Sequence, residues 1–164
     1  MAWIAINFDR RKTVNEELTK KRLVVYDDMV PKANDQLCYI TCVGCWKTFN
    51  PEKLLNHKRE FDRSLYINGP LFSQDLIRYG HRFIFACFIT FTGAGKPAKL
   101  RADKLYLETQ WQQDWDHTWD SFFVGPSEII KDKELREAYN AFVDQFAIEI
   151  GARQSKHRKK FRIF

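Results

Sequence analysis

The segment RFIFACFITFT, residues 82–92, constrains the fold of this chain more than any other. Read at a period of two, it is apolar on both faces. Phe83, Phe85, Cys87, Ile89 and Phe91 share one face, and Ile84, Ala86 and Phe88 share the other. A strand of that kind belongs in the middle of a sheet, covered on both sides. Gly93-Ala94-Gly95 then supplies a turn. Residues 100–111 alternate, with Leu105, Leu107, Thr109 and Trp111 on one face, which predicts an antiparallel hairpin. Shorter β-like runs occur at 2–8, 22–26 and 37–43. The apolar core of the segment, Phe83 to Ile89, is far short of the roughly 20 residues a spanning helix needs, so no transmembrane segment is expected.

Three helices accompany these strands. Asn50 as cap with Pro51 at the first helical position predicts a helix over 51–62. Residues 71–79, after the turn Asn68-Gly69-Pro70, predict a short helix ended by Gly80. Leu135, Tyr139, Phe142, Val143, Phe146 and Ile150 lie at offsets of 4, 7, 8, 11 and 15 from the first, which predicts an amphipathic helix over 132–150. Asp132 is placed to cap its start and Gly151 its end. The expected fold is therefore α+β: an antiparallel-dominated sheet with helices packed on one side, a long amphipathic C-terminal helix and a basic C-terminal tail. A chain of 164 residues suits one domain, and no Pro-, Gly- or Ser-rich linker divides it. The expected division is a single domain over 1–151 and a tail over 152–164.

The formal net charge is +6, and its location matters more than its size. Residues 152–164, ARQSKHRKKFRIF, hold Arg153, Lys156, Arg158, Lys159, Lys160 and Arg162 and no acid. Removing those six leaves 21 basic against 21 acidic residues, so the rest of the chain is formally neutral. A terminal basic cluster is cheap to keep solvated and reaches phosphates as an arm. It also serves as a solubilising end or a nuclear-import address. Inside the body, basic residues gather at Arg10, Arg11, Lys12, Lys20, Lys21 and Arg22, and again at Lys96, Lys99, Arg101 and Lys104. The start, MAWIAINFDRR, has no charged region before an apolar stretch, unlike a secretory signal, so the chain is expected inside the cell, cytoplasmic or nuclear. Its four cysteines are then expected as reduced thiols.

Cys38, Cys42 and Cys45 are followed by His57. The two-residue spacing of Cys42 and Cys45 lets both thiolates reach one tetrahedral zinc. The stretch CVGCWKTFNPEKLLNH resembles the first three-quarters of a zinc finger of the two-Cys, two-His type, over about 16 residues. That resemblance implies a structural zinc on Cys42, Cys45 and His57. Phe61, Asp62 and Arg63 stand where the second His belongs, so Cys38, Cys87 or His81 would supply the fourth ligand. The same cysteines also read as small apolar residues buried in a strand.

The segment WQQDWDHTWD, residues 111–120, places Trp111, Trp115 and Trp119 four apart. Its Asp114, Asp116, His117 and Asp120 have the chemistry of a divalent-cation site, as a metal-dependent nuclease requires. The Trp faces also suit stacking on unpaired bases. A tryptophan stripe docking a short helix onto the core accounts for the spacing more simply. TGAGKPAK, residues 92–99, is not a phosphate-binding loop, since Thr90 and Pro97 replace the required Gly and Ser or Thr. It reads instead as a basic hairpin tip. No Gly-x-Ser-x-Gly, His-Glu-x-x-His or dinucleotide fingerprint occurs.

Aromatic residues make up 15% of the chain, more than a core of this size uses, so some are expected at the surface. Exposed aromatics beside Lys and Arg suit single-stranded nucleic acid. The favoured expectation is a small, non-enzymatic nucleic-acid-binding protein (RNA or single-stranded DNA) in the style of a viral accessory protein. The residues expected to carry it are Lys96, Lys99, Arg101, Arg153, Lys156, Arg158, Lys159, Lys160 and Arg162. Two alternatives stand beside it. One is a matrix- or adaptor-type protein holding anionic membrane and a protein partner, since aromatics also dominate protein interfaces. The other is the metal-dependent nuclease.

Overall fold

The computed structural model describes the backbone of residues 2–154 and the side chains of residues 13–154. Lys156, Arg158, Lys159, Lys160 and Arg162 lie outside the described residues. The chain is mostly helical. Its longer helices are α1 (Ala2–Thr41), α2 (Pro51–Asn68), α3 (Gln74–Cys87), α4 (Lys104–Trp111) and α5 (Asp132–Glu149). Two short strands, β1 (Phe88–Ile89) and β2 (Lys99–Leu100), form the one small sheet among the described residues.

The expected central strand at 82–92 is instead the end of a helix. Leu76, Gly80, Phe83, Ile84 and Cys87 are buried, at offsets of 4, 7, 8 and 11. That is the helical period, and it leaves Arg78, His81, Arg82 and Phe85 outside. Ser73 caps the start, its Oγ accepting from the Leu76 N–H at 3.3 Å. Gly80 lies within α3 rather than ending it. A Cβ there would meet the Leu65 methyl carbons at 3.0 and 3.1 Å, so the glycine permits close approach of α3 to α2. Only Phe88 and Ile89 extend, pairing antiparallel with Leu100 and Lys99.

The hairpin partner expected over 100–111 is likewise mainly helix. Asp103 caps α4 by accepting from the Tyr106 N–H at 3.1 Å. The strands expected at 2–8 and 22–26 are parts of α1, and the run 37–43 is its end, with Cys42 and Val43 just beyond Thr41. Val25, Met29, Ala33, Gln36 and Leu37 are buried along one stripe that runs through two of those runs and the polar stretch between them. Pro31 lies inside α1 on its solvent side, where the carbonyl that loses its backbone partner is open to solvent.

Two helices follow the sequence pattern closely. In α2, the Asn50 side chain accepts from the Lys53 N–H at 2.8 Å and Pro51 occupies the first turn. In α5, Leu135, Ala138, Phe142 and Phe146 are buried. Asp132 does not cap α5; it is the first helical residue and pairs with Arg136 at 2.8 Å. Gly151, at φ +81°, takes the left-handed conformation that follows many helices.

The core is aromatic. Phe61 of α2, Phe83 of α3 and Phe142 and Phe146 of α5 are fully buried, with ring centroids 5.3 to 6.2 Å apart. Tyr26 of α1 packs edge-on against Phe146 at 5.4 Å. The most extensive helix contact is α3 on α5, followed by α1 on α2 and on α5. Among the described residues, no helix is long and apolar enough to cross a membrane.

Candidate functional site

The outward face of α3 forms one wall of a cleft of about 720 Å³. Arg78, His81, Arg82 and Phe85 recur at helical spacing along that wall. Glu134 and Ala138 of α5 form the opposite side, and Arg101, just after β2, closes one end. Ile77, Ala86 and Ala138 give the cleft apolar lining. Three arginines against one glutamate leave the lining with two positive charges when His81 is neutral.

The cations are held differently. The Arg101 backbone N–H donates to the Cys87 carbonyl at 2.9 Å, which ties it to the end of α3. Its Nε donates to the Glu128 carbonyl at 2.9 Å and its Nη1 to the Phe85 carbonyl at 3.2 Å. Two oriented carbonyls fix this guanidinium without cancelling its charge. Arg78 is paired with Asp75 at 2.9 Å and lies 5.4 Å from the Tyr79 ring centre. The Arg82 guanidinium makes no ion pair or hydrogen bond among the described residues, and neither does the Glu134 carboxylate. His81 stacks on Phe85, with ring centroids 6.2 Å apart and planes 22° apart. Phe85 is 54% exposed, so much of that ring faces solvent.

Of the residues expected to bind an anion, the structure brings Arg101 to this cleft and leaves the others elsewhere. Lys96 is exposed at the turn, where its N–H donates to the Gly93 carbonyl at 3.1 Å, and Lys99 is half-buried on β2. Arg153 is drawn back to α5: it pairs with Asp144, and its N–H donates to the Ala147 carbonyl at 3.0 Å. The sequence gives no sign that Arg78, His81, Arg82 and Phe85 share this wall. Their spacing of three, four and seven is legible only once 74–87 is read as a helix.

The cysteine cluster lies where α1 ends. Cys38 and Cys42 are half-buried, Cys42 takes a left-handed φ of +53°, and Gly44 follows at +65°. Cys45 is exposed beyond that turn. His57, on α2, faces Asp35 at 3.6 Å and packs on the Phe49 ring at 5.7 Å. Among the described residues, no group of three or more His, Cys, Asp or Glu side chains is arranged to hold a metal ion. Burial pushes the Cys42 thiol up to about 11, with Asp103 adding to the shift, and burial also raises Cys38. Cys87 is fully buried, and the same cause raises it well above the ordinary thiol value, against the opposing pull of Arg101. Only the thiolate alkylates readily. Iodoacetamide at pH 8 is therefore expected to label Cys45 first and Cys87 only on unfolding. Cys42 labelling is expected to quicken as pH rises toward 11, because the raised thiol releases its proton only there. Mass spectrometry of the alkylated peptides checks this order; fast labelling of Cys87 in the folded chain would contradict the packing.

The tryptophan segment is not a single helix. Trp111 ends α4, while Trp119 lies in a separate 3-10 turn over His117–Phe122. The rings form an edge-on chain instead: Trp46 to Trp111 at 6.0 Å, Trp111 to Trp119 at 5.4 Å and Trp119 to Trp115 at 5.4 Å. Trp115 and Trp119 are buried, so they do not offer faces to bases. Asp116 and Asp120 have local partners. Asp116 caps the turn, and the Thr118 hydroxyl and N–H hold its carboxyl below the usual range. Asp120 accepts from the Trp115 indole at 3.1 Å and pairs with Lys104 at 3.4 Å, with the same downward effect.

Comparison with known proteins gives no match: no family model, curated protein or solved structure is significantly similar to the chain.

Proposed function

We propose that this chain binds single-stranded nucleic acid in the α3–α5 cleft. The observation that carries the reading is the conjunction of Arg82, without a partner among the described residues, with the exposed Phe85 ring on the next helical turn. A phosphate needs an uncompensated cation, and an unpaired base needs an aromatic face. Arg101 adds a second charge whose position is fixed by backbone carbonyls. The volume lies within the roughly 300–1,000 Å³ of small-ligand sites, enough for one nucleotide unit and too small for a duplex. Lys156, Arg158, Lys159, Lys160 and Arg162 would extend the contact along the strand.

The test is fluorescence anisotropy of labelled 12-nucleotide strands against salt. Each phosphate held by a cation contributes about −0.7 to the slope of log affinity on log salt for single strands. Contact by two cleft arginines thus gives a slope near −1.4, and the arm makes it steeper. Salt-insensitive binding, or no binding at 50 mM salt, would defeat the proposal.

A further inference from the structure

We infer that the cleft reads the base it holds and prefers guanine, through Glu134. The inference rests on the nucleic-acid reading above. A carboxylate is out of place in a pocket built only for phosphate, because it repels the ligand. Yet Glu134 lines the same cleft as Arg78, Arg82 and Arg101 and is neutralised by none of them. Its neighbour Asp132 shows the alternative arrangement, pairing with Arg136 on its own helix. Glu134, exposed in the first turn of α5, is open to accept hydrogen bonds from a bound molecule.

An ionised carboxylate has only acceptors, two oxygens side by side. It therefore selects a partner that presents two adjacent donors. Guanine does so on its pairing edge, with the N1–H and the exocyclic N2 amino group. Adenine presents one donor beside the acceptor N1, and cytosine one donor beside the acceptor N3. Uracil and thymine present one N–H between two carbonyls. For these bases the second carboxylate oxygen meets an acceptor and is left unpaired, which costs affinity. Unpaired bases are commonly stacked on an aromatic ring while their pairing edge is read in this way. Phe85, backed by the stacked His81 ring, stands on the α3 wall, and Glu134 stands on the α5 wall opposite. The stacking surface and the edge reader thus come from different helices, and the arginines take the phosphate.

The experiment uses the full chain and eight-nucleotide thymidine strands carrying one central guanine, adenine or cytosine, with anisotropy as the readout. The guanine strand is expected to bind about tenfold tighter than the other two. In Glu134→Gln the side chain has one acceptor and one donor, which matches the donor beside an acceptor that adenine and cytosine both present, so the preference for guanine should be lost. Circular dichroism of the variant checks that α5 is retained. Equal binding of the three strands by the native chain overturns the inference and leaves nucleic-acid binding standing. A guanine preference unchanged in Glu134→Gln overturns it too. Failure of every strand to bind removes this inference and the reading beneath it together.

Discussion

Replacing Phe142 by alanine is expected to lower the unfolding free energy by about 3–5 kcal/mol, the range for a buried phenylalanine truncated to alanine. Phe142 is 0% exposed and touches three other aromatic rings: Phe61 at 5.3 Å, Phe146 at 5.5 Å and Phe83 at 6.2 Å. Those rings come from α2, α3 and α5, so removing one side chain opens a void at the meeting point of three helices. Gly80 also approaches it: a Cβ there would lie 3.5 Å from the Phe142 ring. The backbones are already close and have little room to collapse further. Domains of this size have a total stability of about 5–15 kcal/mol, so the loss is a large part of the whole. Urea unfolding followed by circular dichroism and tryptophan fluorescence measures it. A loss below about 1 kcal/mol would mean that the aromatic cluster does not hold the helices together.

The largest functional effect is expected from Arg82→Glu. A unit charge pair at 4 Å is worth about 1 kcal/mol in water-like surroundings, so reversal exchanges that attraction for an equal repulsion. The combined change of about 2 kcal/mol corresponds to roughly a thirtyfold loss in single-strand affinity at low salt. The substitution also sets a second carboxylate on the cleft beside Glu134. Arg82 is exposed and makes no ion pair or hydrogen bond among the described residues, so the fold should be unaffected. Lys20→Glu is the control. It changes net charge equally, at an exposed position on α1 away from the cleft. Equal losses in the two variants would show that only the overall charge matters and would remove the cleft from the explanation.

Some of this architecture is written locally. Asn50-Pro51 is a helix start whatever surrounds it, because the side chain satisfies a free N–H and proline has none to lose. The stripe from Leu135 to Phe146 leaves only one face to bury, and α5 buries it. The cleft was not legible, because it depends on the assignment of one segment. Residues 83–89 are all apolar, and an unbroken apolar run fits a period of two as well as one of 3.6. Arg78 and Arg82 become neighbours of Phe85 only in the second case. The tryptophan stripe met a similar limit: Trp111 ends α4 and Trp119 lies in the separate 3-10 turn over His117–Phe122, so no single helix carries them.

By itself, then, the sequence determined where the net charge lies, where α2 begins and which face of α5 is buried, because each depends on residues close together in the chain. The tertiary structure decided that 74–87 is a helix, since its buried face needed the rings of α2 and α5 to lie against. In doing so it turned Arg78, His81, Arg82 and Phe85 outward and set them opposite Glu134. Those residues lie about fifty positions apart in sequence, and only the packing of α3 on α5 brings them to one cleft.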